Sequence, residues 1–305
     1  MNMNDAIESA LQQMRAAGMD ENTIELYRQQ MQMAQEMNQF AAPEFTSFAK
    51  QSTEFAEQFQ DPDFQTELAS SFLEGDDEDE VVMKENTTLT PAQQWGIACG
   101  ADLAFLNGYP LNTLEEDVDQ EMMQSQLSEW WGIESKDDLI EMLDSLGEGR
   151  HCIDFAILDK AFRMDEDEGA KFLAEHFTDD EDMEVAIDRI NNLAEAYEQF
   201  KADGLWKKST PPNFIAWDLV RRINVCRNGF DAGFITEKEA LKIIVDTAKR
   251  LQKEFKSWRE LSIAYQFGRY IWGGDDQYEW LKDGMETLLT HEESPWVNLD
   301  WNTAL

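Results

Sequence analysis

Between Trp217 and Trp272, helix starts, a stop and apolar periodicity follow one another so closely that only a compact helical unit accommodates them all. Asp218 and Arg222 stand four apart, acid before base, which on a helix is one face in the favourable order. The pattern runs through Val220, Asn224 and Arg227 to Asn228-Gly229, where glycine's tolerance of left-handed backbone predicts a stop. Gly233 shortens the connection. Thr236-Glu237-Lys238-Glu239 then matches a capping box, the threonine serving an orphan amide and the glutamate reaching back. Ala240, Ile243, Ile244, Ala248, Leu251 and Phe255 recur with the period of a helix. Ser257-Trp258-Arg259-Glu260 repeats the cap, and Trp258, Leu261, Tyr265, Gly268, Arg269 and Trp272 fall along one side of the next helix. The expectation is three helices with short connections.

The remainder reads the same way. Thr90-Pro91 opens a helix with proline in its permitted first turn, running as far as Asn107-Gly108. Residues 113–130, 135–146, 151–164, 166–176 and 181–203 read as further helices, with no sustained period-2 alternation and no fixed repeat. The fold class is all-α: a multi-helix globular domain over 89–305, preceded by a smaller Gln/Met/Phe-rich helical region over 1–74 and an acidic linker over 75–88. Within 1–74 helices are expected at 5–17 and 22–40, from Pro43, and around Phe64–Phe72. Their apolar stripes read as packing faces; a partner surface of adaptable methionines is the alternative.

Trp217-Asp218, Arg221/Arg222, Arg227-Asn228-Gly229-Phe230, Ala232-Gly233, Ser257-Trp258, Tyr265, Gly268-Arg269 and Trp272 together resemble the bacterial domain-of-unknown-function family numbered 1266. Trp131-Gly132-Ile133, Asp137-Asp138-Leu139 and the closing Ser294-Pro295-Trp296 with Leu299-Asp300-Trp301 extend the resemblance to roughly 89–305. One departure is that Gly149-Arg150-His151 stands where the family pattern has Gly-His-Arg. The resemblance implies a bacterial cytoplasmic protein and assigns no activity.

Charge sets the choice of partners. The formal net charge is −38, and it is unevenly spread: residues 211–305 hold 12 basic against 15 acidic residues, whereas 91–210 hold 9 against 29. Such a surface repels nucleic-acid phosphate and anionic lipid and attracts a basic protein. Cys99, Cys152 and Cys226 are odd in number and far apart, which points to a reducing compartment. Neither a secretory leader nor a membrane-length apolar run is present. No phosphate loop, dinucleotide fingerprint, metalloprotease motif or nucleophile elbow occurs. His151, His176 and His291 lack metal-ligand spacing, so no metal and no cofactor are expected, and His151 reads as a helix-end polar contact.

Two functional readings follow. In the first, the protein is a non-enzymatic binding module, an inhibitor or immunity-type protein that meets a basic protein partner. Glu115, Glu116, Asp117, Asp179, Asp180, Glu181 and Asp182 are its candidate contacts. In the second, the protein is an enzyme or small-ligand binder: Trp217, Asp218, Arg221, Arg222, Arg227, Trp258, Tyr265, Arg269 and Trp272 form either a structural ion network of Asp218, Arg222 and Arg269 under tryptophan faces or a pocket for an anionic or aromatic ligand.

Overall fold

The computed structural model describes residues 81–305 except Asn86 and Asp276; the region 1–74 and the start of the linker lie outside the described residues. The chain divides into two units, Met1–Glu78 and Asp79–Leu305, and all described residues fall in the second. They form helices α1 (Pro91–Ala98), α2 (Ala101–Leu106), α3 (Gln120–Trp131), α4 (Lys136–Glu148), α5 (Arg150–Phe162) and α6 (Glu166–His176). These continue into α7 (Asp180–Ala202), α8 (Ile215–Asp231), α9 (Glu237–Glu254), α10 (Trp258–Gly273), α11 (Tyr278–Thr290) and α12 (Pro295–Asn298). Among the described residues there is no strand, and no helix is long and apolar enough to cross a membrane.

Helix α8 is the axis. Trp217, Leu219, Val220, Ile223, Val225 and Cys226 bury it on every side, as expected of a helix without a solvent face. Helices α3, α4, α5, α9 and α10 pack around it. Two glycines set the spacing. A Cβ on Gly229 would lie 2.3 Å from Leu139 Cδ2, and one on Gly268 would lie 2.7 Å from Trp217 Cβ. Gly229 is therefore a packing glycine and not the expected stop: α8 runs on to Asp231, and the reversal comes at Gly233 with φ 75°.

Two other boundaries differ from expectation. The apolar run after Pro91 is broken at Cys99-Gly100, where the Asn224 side chain occupies the space a Cβ on Gly100 would need. Residues 113–119 are not helical; Asp119 caps α3 by accepting from the amides of Glu121 and Met122. The two capping signals at Thr236 and Ser257 are both in place, with Thr236 accepting from the Glu239 amide and Ser257 from the Glu260 amide.

A tryptophan cluster closes the domain. Trp258 lies 4.7 Å from Trp95, 4.8 Å from Trp301 and 5.9 Å from Trp296, ring centre to ring centre. Their indole N–H groups donate to the backbone carbonyls of Asp300 (from Trp95), Leu299 (from Trp258) and Ala98 (from Trp296). Buried aromatics with satisfied polar ends combine a large apolar area with fixed orientation.

Candidate functional site: an arginine–tryptophan cavity

The nine residues expected to act together separate into two groups. Asp218 is fully buried and accepts from His151 Nδ1 at 2.6 Å and from the Cys152 amide at 2.9 Å, so it holds the first turn of α5. It does not pair with Arg222, despite the spacing. Arg222 donates to Thr247 Oγ1 at 3.1 Å and approaches Asp144 at 3.8 Å. Arg227, also fully buried, donates to the carbonyls of Pro110, Leu114 and Glu115 and lies 3.4 Å from Glu116 Oε1. It fastens the loop before α3. Trp258 belongs to the closing cluster. These four hold the fold, and the expected Asp218–Arg222–Arg269 network does not form.

Trp217, Arg221, Tyr265, Arg269 and Trp272 instead line one cavity of about 390 Å³, built from α2, α3, α8 and α10. Trp131, at the last turn of α3, completes it. The Arg221 guanidinium lies 4.3 Å from the Trp217 ring centre, 4.6 Å from Trp131 and 5.4 Å from Trp272. Cation–π attraction offsets part of the cost of holding it out of water. Burial nevertheless pulls its pKa down to about 10, with Tyr265 and Asp218 opposing and Arg269 and Arg189 adding to the fall. It remains a cation at neutral pH.

What this cation lacks is an acceptor. Arg221 Nη1 is buried with no hydrogen-bond partner, and so is Trp217 Nε1 on the same cavity wall. An unsatisfied buried donor costs about 1–3 kcal/mol, so each of these two, on residues that line the same cavity, calls for an acceptor. Arg269 adds a second guanidinium, held by Gln277 Oε1 at 3.1 Å. Arg189 lies 3.9 Å from the Trp272 ring centre.

Glu116 corrects an expectation. It was placed among surface acids, yet only 2% of it is exposed; its carboxylate accepts from Asn228 and faces Arg227. Burial pushes its pKa up to about 7, with Arg227 opposing and Asp231 adding. Its amide donates to Asp231 Oδ2, and burial pushes Asp231 to about 6. Glu115 and Asp117 are exposed, and Asp117 pairs with Lys84. Asp179, Asp180, Glu181 and Asp182 are exposed at the start of α7, where Asp179 caps and the others complement the helix dipole. Their local role accounts for their position without a partner.

A second concavity, about 540 Å³, runs along the outer face of α9. Its walls are exposed Glu237, Lys238, Lys242, Asp246 and Lys249, with no buried unpaired group. Among the described residues no group of three or more His, Cys, Asp or Glu side chains is placed to hold a metal ion. Site residues that sequence reasoning missed include Trp130, Trp131 and Asn228. Trp130 and Trp131 both reach the cavity from the last turn of α3, which the left-handed Gly132 (φ 64°) ends, and Trp130 is 66% exposed.

Over 147 residues, 48% of its length, the chain is 28% identical to the uncharacterized protein YbeR of Escherichia coli (strain K12) and 27% identical to the uncharacterized protein YbeU of the same organism. The matched part covers 56% of YbeR and 57% of YbeU, so the chain spans little more than half of each relative. No solved structure matches it. The family model described as "Protein of unknown function (DUF1266)" matches residues 126–301, which include all of α4 to α12 and the arginine–tryptophan wall of the cavity, and the chain belongs to that family.

Proposed function

We propose that the protein binds a small organic oxyanion, a carboxylate or phosphate carrying a flat or apolar body, in the cavity between α3, α8 and α10. The observation that carries this reading is the pair of buried donors without acceptors, Arg221 Nη1 and Trp217 Nε1, on one cavity wall. An oxyanion supplies the lone pairs both donors lack, and a guanidinium fork is matched to it. The indoles of Trp131 and Trp272 offer the ligand body an apolar surface. No reaction is assigned to the site. The alternative of an acidic surface meeting a basic protein has less support, because Asp179 caps α7, Asp117 pairs with Lys84 and Glu116 is buried.

The cavity tryptophans supply the assay. Titration with benzoate, 2-naphthoate and inorganic phosphate, followed by intrinsic fluorescence, gives saturable binding of at least one. Arg269→Ala weakens it at least tenfold with little change in thermal midpoint, since the Arg269 guanidinium makes one hydrogen bond, to Gln277, among the described residues. Absence of saturable binding by all three anions would sink the reading.

A further inference from the structure

We infer that the ligand is two-ended: an elongated organic acid whose oxyanion sits at Arg221 and Arg269 and whose other end carries a hydrogen-bond donor, an amine or ammonium, at Asn228. The inference rests on the oxyanion reading and adds to it the length and the second end. Arg221, Asn224, Val225 and Asn228 all line the cavity. Their spacing puts them on one face of α8 over two turns, so the two ends lie about 10 Å apart. Between them the wall is uncharged: Leu103, Met123, Leu127 and Val225 are joined by Gln126 and by Asn224, whose amide is committed to the Val220 and Gly100 carbonyls.

The far end has chemistry opposite to the near one. Asn228 lines the cavity and donates its amide to Glu116 Oε2, while its Oδ1 accepts from no donor among the described residues. Behind it two carboxylates, Glu116 and Asp231, stand against the single guanidinium of Arg227. With both ionised, that end is net negative. One end therefore offers donors and positive charge, the other an acceptor backed by negative charge, and the lining between them carries no charged group. A short anion fills only the first end, and a diacid meets repulsion at the second.

Fluorescence titration of the full chain at pH 8 with octanoate, 8-aminooctanoate and octanedioate separates these cases. The eight-carbon chain spans about the required 10 Å at about 1.3 Å per bond. The aminoacid is expected to bind at least tenfold more tightly than octanoate, and octanedioate most weakly. Glu116→Gln, shown to be folded by its thermal transition, shrinks the advantage of the amine toward unity. Equal affinities for octanoate and 8-aminooctanoate, or preference for the diacid, overturn the two-ended ligand and leave the anion site standing. Binding of benzoate with none of the three long acids also overturns it. Failure of every anion, benzoate included, removes the oxyanion reading and this inference together.

Discussion

Arg221 and Arg227 lie on the same helix and carry the same group out of water, but they are satisfied unequally: Arg227 makes three hydrogen bonds and leaves only its Nη1 without one, whereas Arg221 makes none among the described residues. Arg227 is surrounded by carbonyl oxygens and faces Glu116, so Arg227→Met should leave a buried carboxylate unpaired and cost about 3–5 kcal/mol in chemical denaturation. Arg221→Met removes a donor that has no acceptor. Its stability should change by less than about 1 kcal/mol, the lost cation–π attraction offsetting the relieved donor, while anion binding disappears. Equal destabilisation by the two substitutions would contradict this division. Asp102 poses the converse problem. It is buried beside Ser262 and Gln266, its Oδ2 and the Gln266 Oε1 both lack donors, and burial pushes it to about 6. Asp102→Asn adds donors and removes a charge, and should raise the thermal midpoint at pH 8 but not at pH 5. None of these distinctions was legible from residue type. Arg221, Arg222 and Arg227 look alike in the sequence, and which acceptor each finds depends on loops and helices far along the chain, as with Arg227 and Pro110.

The helices themselves were legible where side chain and backbone signals lie within a few residues. The Thr236 capping box and the apolar stripe of α9 are local facts, and both are present in the structure. Thr236→Ala should cost about 1 kcal/mol by loss of the cap. Gly229 was misread because a helix-stop signal and a packing glycine are the same residue; what decides is Leu139, ninety positions earlier in the chain. Glu116 was misread because a buried loop carries no periodicity. Gly268 shows what such contacts are worth. Its close approach to Trp217 seats α10 on α8, so Gly268→Ala should cost about 1–3 kcal/mol through overpacking. The same change displaces the indole that forms the cavity wall, so ligand affinity should fall with stability, unlike Arg269→Ala.

For the molecule as a whole, acidity and buried carboxyls act in the same direction above pH 5. Asp102, Glu116 and Asp231 have folded values raised above their unfolded ones near 4. Each contributes fully below about 4 and loses that contribution as pH rises through about 6 for the two aspartates and about 7 for Glu116. Repulsion within a chain of net charge −38 grows over the same range. The thermal midpoint should therefore be higher near pH 5.5 than at pH 8. It should fall again under more acid conditions, where Glu239, held low chiefly by Lys136, loses its charge. A midpoint that rises steadily from pH 5.5 to 8 would contradict the assignment. The closing tryptophan cluster has a consequence in time. Trp95 lies in α1 and donates to Asp300, 205 positions later; Trp301 packs on both Trp95 and Trp258, and Trp296 stacks on Trp258. A nascent chain that extends only through Glu293 has a Trp95 and a Trp258 that can pack on each other but still lack Trp296 and Trp301. Residues 294–301, rather than the many before them, complete this cluster, and a chaperone that recognises bare indoles has the interval before they are made in which to act.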